Sequence, residues 1–100
     1  MVGKKRKINK EDKEWANAVK LKDGSKCAIC GSTINLNAHH IIPREIKPLK
    51  YNIDNGITLC PLHHRFSFEL SAHQNPIAFF KWMQLNKYAQ LSFLLSTCKI

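Results

Sequence analysis

Apolar positions recur with helical spacing at both ends of this chain and with strand-like alternation in its middle. Trp15, Ala18 and Val19 form one apolar stripe, preceded by Asn9 as a cap and by an acidic first turn of Glu11, Asp12 and Glu14 that the helix dipole favours. Asp23-Gly24 stops that helix. Thr33 to Ile42 is β-branched and alternating, which predicts a short hairpin or strand closed by Pro43. A polar loop with two prolines spans 43–56 and ends in the turn signal Asp54-Asn55-Gly56. Ile57-Thr58-Leu59 predicts a second strand, and Pro61 opens a helix reaching about Leu70. Asn75-Pro76 starts another helix with Ile77, Phe80 and Met83 at helical spacing, and Leu91, Leu94 and Leu95 predict a last one over about 88–97. The aromatic group Phe79, Phe80 and Trp82 reads as core or as a dimer face. The expected architecture is α+β and mostly helical. A strand–loop–strand–helix unit at about 25–70 is flanked by N- and C-terminal helices, in one domain over 9–100 behind a basic arm at 1–8.

Length and charge sharpen this picture. A chain of 100 residues buries a thin core and gains from a staple such as a metal. Its net charge is +9, and residues 1–50 carry 12 basic against 5 acidic side chains, compared with 4 against 2 in the second half. So basic a surface suits a polyanion, nucleic acid first and an anionic membrane second. The run Lys4-Lys5-Arg6-Lys7 is followed by polar residues where a secretory leader would be apolar, and no apolar stretch approaches the roughly 18 residues that span a bilayer. A cytoplasmic protein with reduced thiols is expected. There a Cys-x-x-Cys pair is a metal or redox element rather than a disulfide.

Four soft-metal ligands fall in two pairs of equal spacing, Cys27-x-x-Cys30 and Cys60-x-x-His63. Two intervening residues let a knuckle or helix start turn both side chains onto one ion, and a Cys3His set suits structural Zn2+ with no position left for substrate. The redox alternative needs a thioredoxin-like βαβ pattern, which is absent. Four of the five histidines form two doublets, His39-His40 and His63-His64, with Asn55 between them. His73 reads as a helix-end cap, and Cys98 as a thiol of the last helix.

Cys-x-x-Cys, Ala38-His39-His40-Ile41-Ile42-Pro43, Asn55-Gly56-Ile57-Thr58-Leu59-Cys60 and His63-His64 together resemble the HNH endonucleases, the ββα-metal or His-Me finger nucleases. The likeness is greatest to the small zinc-stapled forms common in tailed phages and prophages. It covers about residues 15–70. It implies a ββα-metal core and metal-dependent hydrolysis of DNA phosphodiester bonds. His40 is then the general base, and His39 and His64 hold a divalent ion such as Mg2+, Mn2+ or Ni2+ with open positions. Asn55 matches the family's central Asn, which ties the loop to the strand carrying the base; a plain turn residue is the alternative.

Three departures accompany the match. In the commoner zinc-stapled members a Cys directly precedes the last His, where this chain has His63. Colicin-type relatives carry a further His one helical turn after the last motif His, where this chain has Phe68. Adjacent strand residues also face opposite sides, so His39 and His40 need a bent strand end to serve one site. Phosphate contacts are expected from Arg44, Lys47 and Lys50 on the inter-strand loop, from Arg65, and from Lys4, Lys5, Arg6 and Lys7 of the arm. DNA is the expected partner, with a homodimer and a phage packaging or recombination partner as further expectations. The rivals are a zinc-stapled DNA-binding module without hydrolysis and a structure-selective junction nuclease.

Overall fold

The computed structural model describes residues 9–97, so the basic arm at Lys4–Lys7 and Cys98 lie outside the described residues. Helix α1 runs Lys10–Lys22 and opens with a capping box: the Asn9 side chain accepts from the Asp12 N–H at 2.8 Å, and the Asp12 carboxylate accepts from the Asn9 N–H at 3.3 Å. Strands β1 (Asn37–His40) and β2 (Gly56–Leu59) pair antiparallel with His39 opposite Ile57 and His40 opposite Gly56. Between them the loop closes through two short 3-10 turns, Lys47–Leu49 and Ile53–Asn55. Helices α2 (Pro76–Asn86) and α3 (Tyr88–Thr97) complete the chain, with Asn75 capping α2 by accepting from the Ala78 N–H at 3.1 Å. No described helix is long and apolar enough to cross a membrane.

Every residue of β2 is buried although the sheet has two strands, because helices cover both of its faces. Ile57 and Leu59 pack into one core with Phe79, Met83 and Leu91 of α2 and α3. On the other face, the Thr58 hydroxyl donates to the Val19 carbonyl of α1 at 3.4 Å, and the Thr58 N–H donates to Asp23 at 2.7 Å. Gly56 permits the close approach: a Cβ there would lie 2.3 Å from Val19 Cγ2 and 2.8 Å from Trp15 Cζ2.

Two elements are shorter than the pattern predicts. The first strand is confined to 37–40, since Asn35 adopts φ +52 and breaks the extended run before it. The helix expected from Pro61 to Leu70 is one π turn, Leu62–Phe66. Ser67 is extended at its end, and its side chain accepts from the Leu70 N–H at 3.0 Å, which commits the following residues to a tight loop. That loop returns on itself, with Ala72 N–H donating to the His63 carbonyl at 2.9 Å and His73 N–H to the His64 carbonyl at 3.0 Å.

Candidate functional site

The knuckle at 27–31 and the start of the π turn bring Cys27, Cys30, Cys60 and His63 together, with all ligand atoms within 4.8 Å of one another. Tetrahedral zinc, with Zn–S of about 2.3 Å and Zn–N of about 2.0 Å, sets sulfur–sulfur edges near 3.8 Å and sulfur–nitrogen edges at about 3.5 Å. The structure has 3.7 Å between the Cys30 and Cys60 sulfurs, and 3.4 Å and 3.9 Å from His63 Nδ1 to the Cys60 and Cys27 sulfurs. The donor set and its spacing both fit zinc. Gly31, at φ +80, makes the knuckle's turn and donates its N–H to the Cys27 carbonyl at 2.9 Å. Burial opposes the Cys27 thiolate, yet the backbone N–H groups of Cys30, Cys60 and Ile29 outweigh it and hold the thiol below its usual value.

Directly beyond His63 the π turn carries His64 into a second cluster. His39 from β1, His64, and His73 from the returning loop place one ring nitrogen each within 4.8 Å of one another. Their ring centroids are 4.6–5.2 Å apart, and the Nε2 atoms of His64 and His73 approach to 3.2 Å. Three imidazoles so close stay neutral. Burial foremost, then His64 and His73, push His39 down to about 3. Burial, then His73 and Arg65, push His64 down to about 4, and His73 is lowered by burial and by Arg65. Neutral imidazoles offer lone pairs, so this group too could hold a divalent ion. The Phe79 ring backs it, edge-on to His39 at 5.7 Å, while Trp82 stacks on Phe79 at 6.4 Å.

His40 leaves the opposite face of β1 and has different surroundings. Its ring lies flat on the Trp15 indole, with centroids 3.9 Å apart and planes 8° apart. Trp15 is itself pinned, its Nε1–H donating to the Asn52 carbonyl at 2.9 Å. His40 Nε2 lies 2.9 Å from the Lys50 carbonyl. A carbonyl only accepts, so Nε2 carries the proton and Nδ1 is the basic nitrogen of the neutral ring. The strand ends at His40, and the chain then bends under the control of Asn55. That fully buried amide accepts from the Ile42 N–H at 2.7 Å and donates to the carbonyls of Ile42 at 3.0 Å and Leu49 at 3.1 Å. Through the bend His40 reaches the rim of a cleft of about 550 Å³ whose walls include His39, His64, Arg65 and His73.

Of the basic residues read as phosphate contacts, Arg65 and Arg44 line that cleft, but Arg44 also pairs with the buried Asp12 at 3.3 Å. Lys47 is exposed on its 3-10 turn, and the Lys50 ammonium lies 5.1 Å from the Tyr51 ring centroid. Sequence reasoning missed two residues. Trp15 looked like plain core, and nothing in a helical stripe marks one member as the partner of a distant histidine. His73 looked like a cap; its only sequence signal was being an unassigned histidine close after the second doublet.

No curated protein and no solved structure matches the chain. One family does match, the HNH endonucleases, over residues 27–65. That stretch contains every member of the two clusters except His73. Over residues 27–65, therefore, the chain matches the HNH endonuclease family, with one member of each histidine doublet in the second cluster.

Proposed function

We propose that the protein is a metal-dependent endonuclease that hydrolyses phosphodiester bonds of DNA. The observation that carries this reading is the placement of His40 and the His39–His64–His73 group on one cleft, from opposite faces of the same strand. His40 acts as general base, with Nδ1 taking the proton of the attacking water while Nε2–H stays on the Lys50 carbonyl. Trp15 and Asn55 hold that ring and its strand end in place. Arg65 stands at the cleft for the phosphate charge. A divalent ion held by His39, His64 and His73 would supply Lewis acidity at the scissile phosphate. Three imidazoles with no carboxylate favour Ni2+ or Zn2+ over Mg2+ or Mn2+, which a two-histidine site would accept more readily. Cys27, Cys30, Cys60 and His63 hold the structural zinc.

The test is cleavage of supercoiled plasmid by mildly chelated protein re-supplied with each metal in turn. Cleavage should return with the imidazole-preferring ions, and His40→Ala should be slower by roughly 10²-fold or more at unchanged zinc content. No cleavage with any ion would leave a zinc-stapled DNA-binding module instead.

A further inference from the structure

His40 and Arg44 border two clefts, only one of which contains the histidine cluster. The second, of about 440 Å³, runs between α1 and the outer side of β1. Its α1 wall is Lys13, Asn17 and Lys20, and across from them stands Asn37, over a floor that includes Ala16 and Leu36. Lys13, Asn17 and Lys20 follow the i, i+4, i+7 spacing of a single helix face, while Val19 turns into the protein and the buried Trp15, stacked on His40, lines the inner end of the groove. The stripe is not needed for folding. Lys13 and Asn17 are exposed, and neither lysine forms an ion pair among the described residues. The carboxylate lining the groove, Asp12, already serves the α1 cap, Arg44 and the Tyr51 hydroxyl. The groove therefore presents positive charge and amide donors, and it leads directly to His40.

We infer that this groove carries the DNA backbone flanking the scissile phosphate, with Lys13 and Lys20 contacting phosphates about three steps apart on one strand and Asn17 and Asn37 donating between them. The inference rests on the nuclease reading for its occupant, since a ligand continuous with the hydrolytic cleft must be the same polyphosphodiester. The dimensions agree. Seven residues of helix separate the two lysines by about 10 Å, which matches roughly three phosphates of one strand at 3.4 Å each along the duplex axis. The apolar floor suits sugar, and the two amides suit phosphate oxygens.

Binding of a short duplex to the full-length, zinc-loaded chain, without added second metal and as a function of salt, tests this without requiring cleavage. Lys13→Gln with Lys20→Gln should lower the slope of log affinity against log salt by about 2 and weaken binding roughly tenfold at moderate salt. Asn17→Arg should steepen the slope by about 1. Lys81→Gln on α2 should change neither quantity. An unchanged slope in the double variant, with zinc content and melting temperature intact, overturns the groove even if the protein cuts DNA. If the slope falls as expected in a protein that cuts with no metal, the groove stands and the hydrolytic reading fails.

Discussion

His39 and His40 leave β1 on opposite faces, and His63 and His64 turn to different clusters from adjacent positions, so each doublet serves two surroundings. His39 and His64 of the three-histidine cluster are held neutral because they are partly buried and face other cationic side chains, and that neutrality has a measurable sign. His39 and His64 hold folded values of about 3 and 4, below the ordinary 6.5 of an unfolded chain. The unfolded state thus binds more protons between these limits. The stabilisation is fully present above about pH 6.5 and is lost as pH falls toward 4. Zinc-loaded protein without a second metal should melt at a lower temperature at pH 5 than at pH 7, and His39→Gln should flatten that dependence. An equal slope in wild type and His39→Gln would show that the cluster is not its source. The doublets themselves were legible in the sequence, because adjacent histidines on a short β-branched segment are conspicuous. His73 was not, since its neighbours in space are set by how a loop closes.

At the scale of elements, β2 is the layer on which both helical sides rest, and Gly56 is its narrowest point. The Gly56 backbone, at φ -125, is open to any residue, so what opposes a methyl group there is packing, first of all against Val19 and Trp15 of α1. Gly56→Ala should destabilise the fold by about 1–3 kcal/mol through overpacking. It should also slow cleavage, because the Trp15 indole that supports His40 is one of the groups displaced. Adding Val19→Ala should restore part of the lost stability, which denaturant titration of the single and double variants would measure. The helices at both ends were readable from apolar spacing and caps, since local signals decide them. The π turn and the short β1 were not. A serine hydroxyl that captures a backbone N–H, and one asparagine with positive φ, end those elements without altering the hydrophobic pattern.

Across the whole molecule, the Cys3His group brings together the knuckle at 27–31, the end of β2 and the start of the π turn, and a zinc ion held there would join segments distant in sequence that a thin core alone holds weakly. Ligand binding of this kind is folding free energy, on the scale of about 10 kcal/mol. Cys30→Ser should therefore give unfolded or insoluble chain, whereas His64→Ala should give folded protein that retains one zinc after mild chelation and does not cleave. Elemental analysis beside circular dichroism decides it, and loss of zinc from His64→Ala would mean the two histidines are exchanged. The turn that separates them carries a consequence for insertions and deletions. Between Cys60 and His64 the chain length is rigid, because adding one residue would bring His63 into the place of His64, and removing one would bring His64 into the place of His63, and either change takes a ligand from one of the clusters. The loop that follows is tied where Ala72 and His73 bond back to His63 and His64, and its exposed Phe68–Glu69 tip can lengthen while that closure is kept. The third imidazole can thus drift along the sequence without moving in space, and a search at fixed offset from the last motif histidine will pass over it.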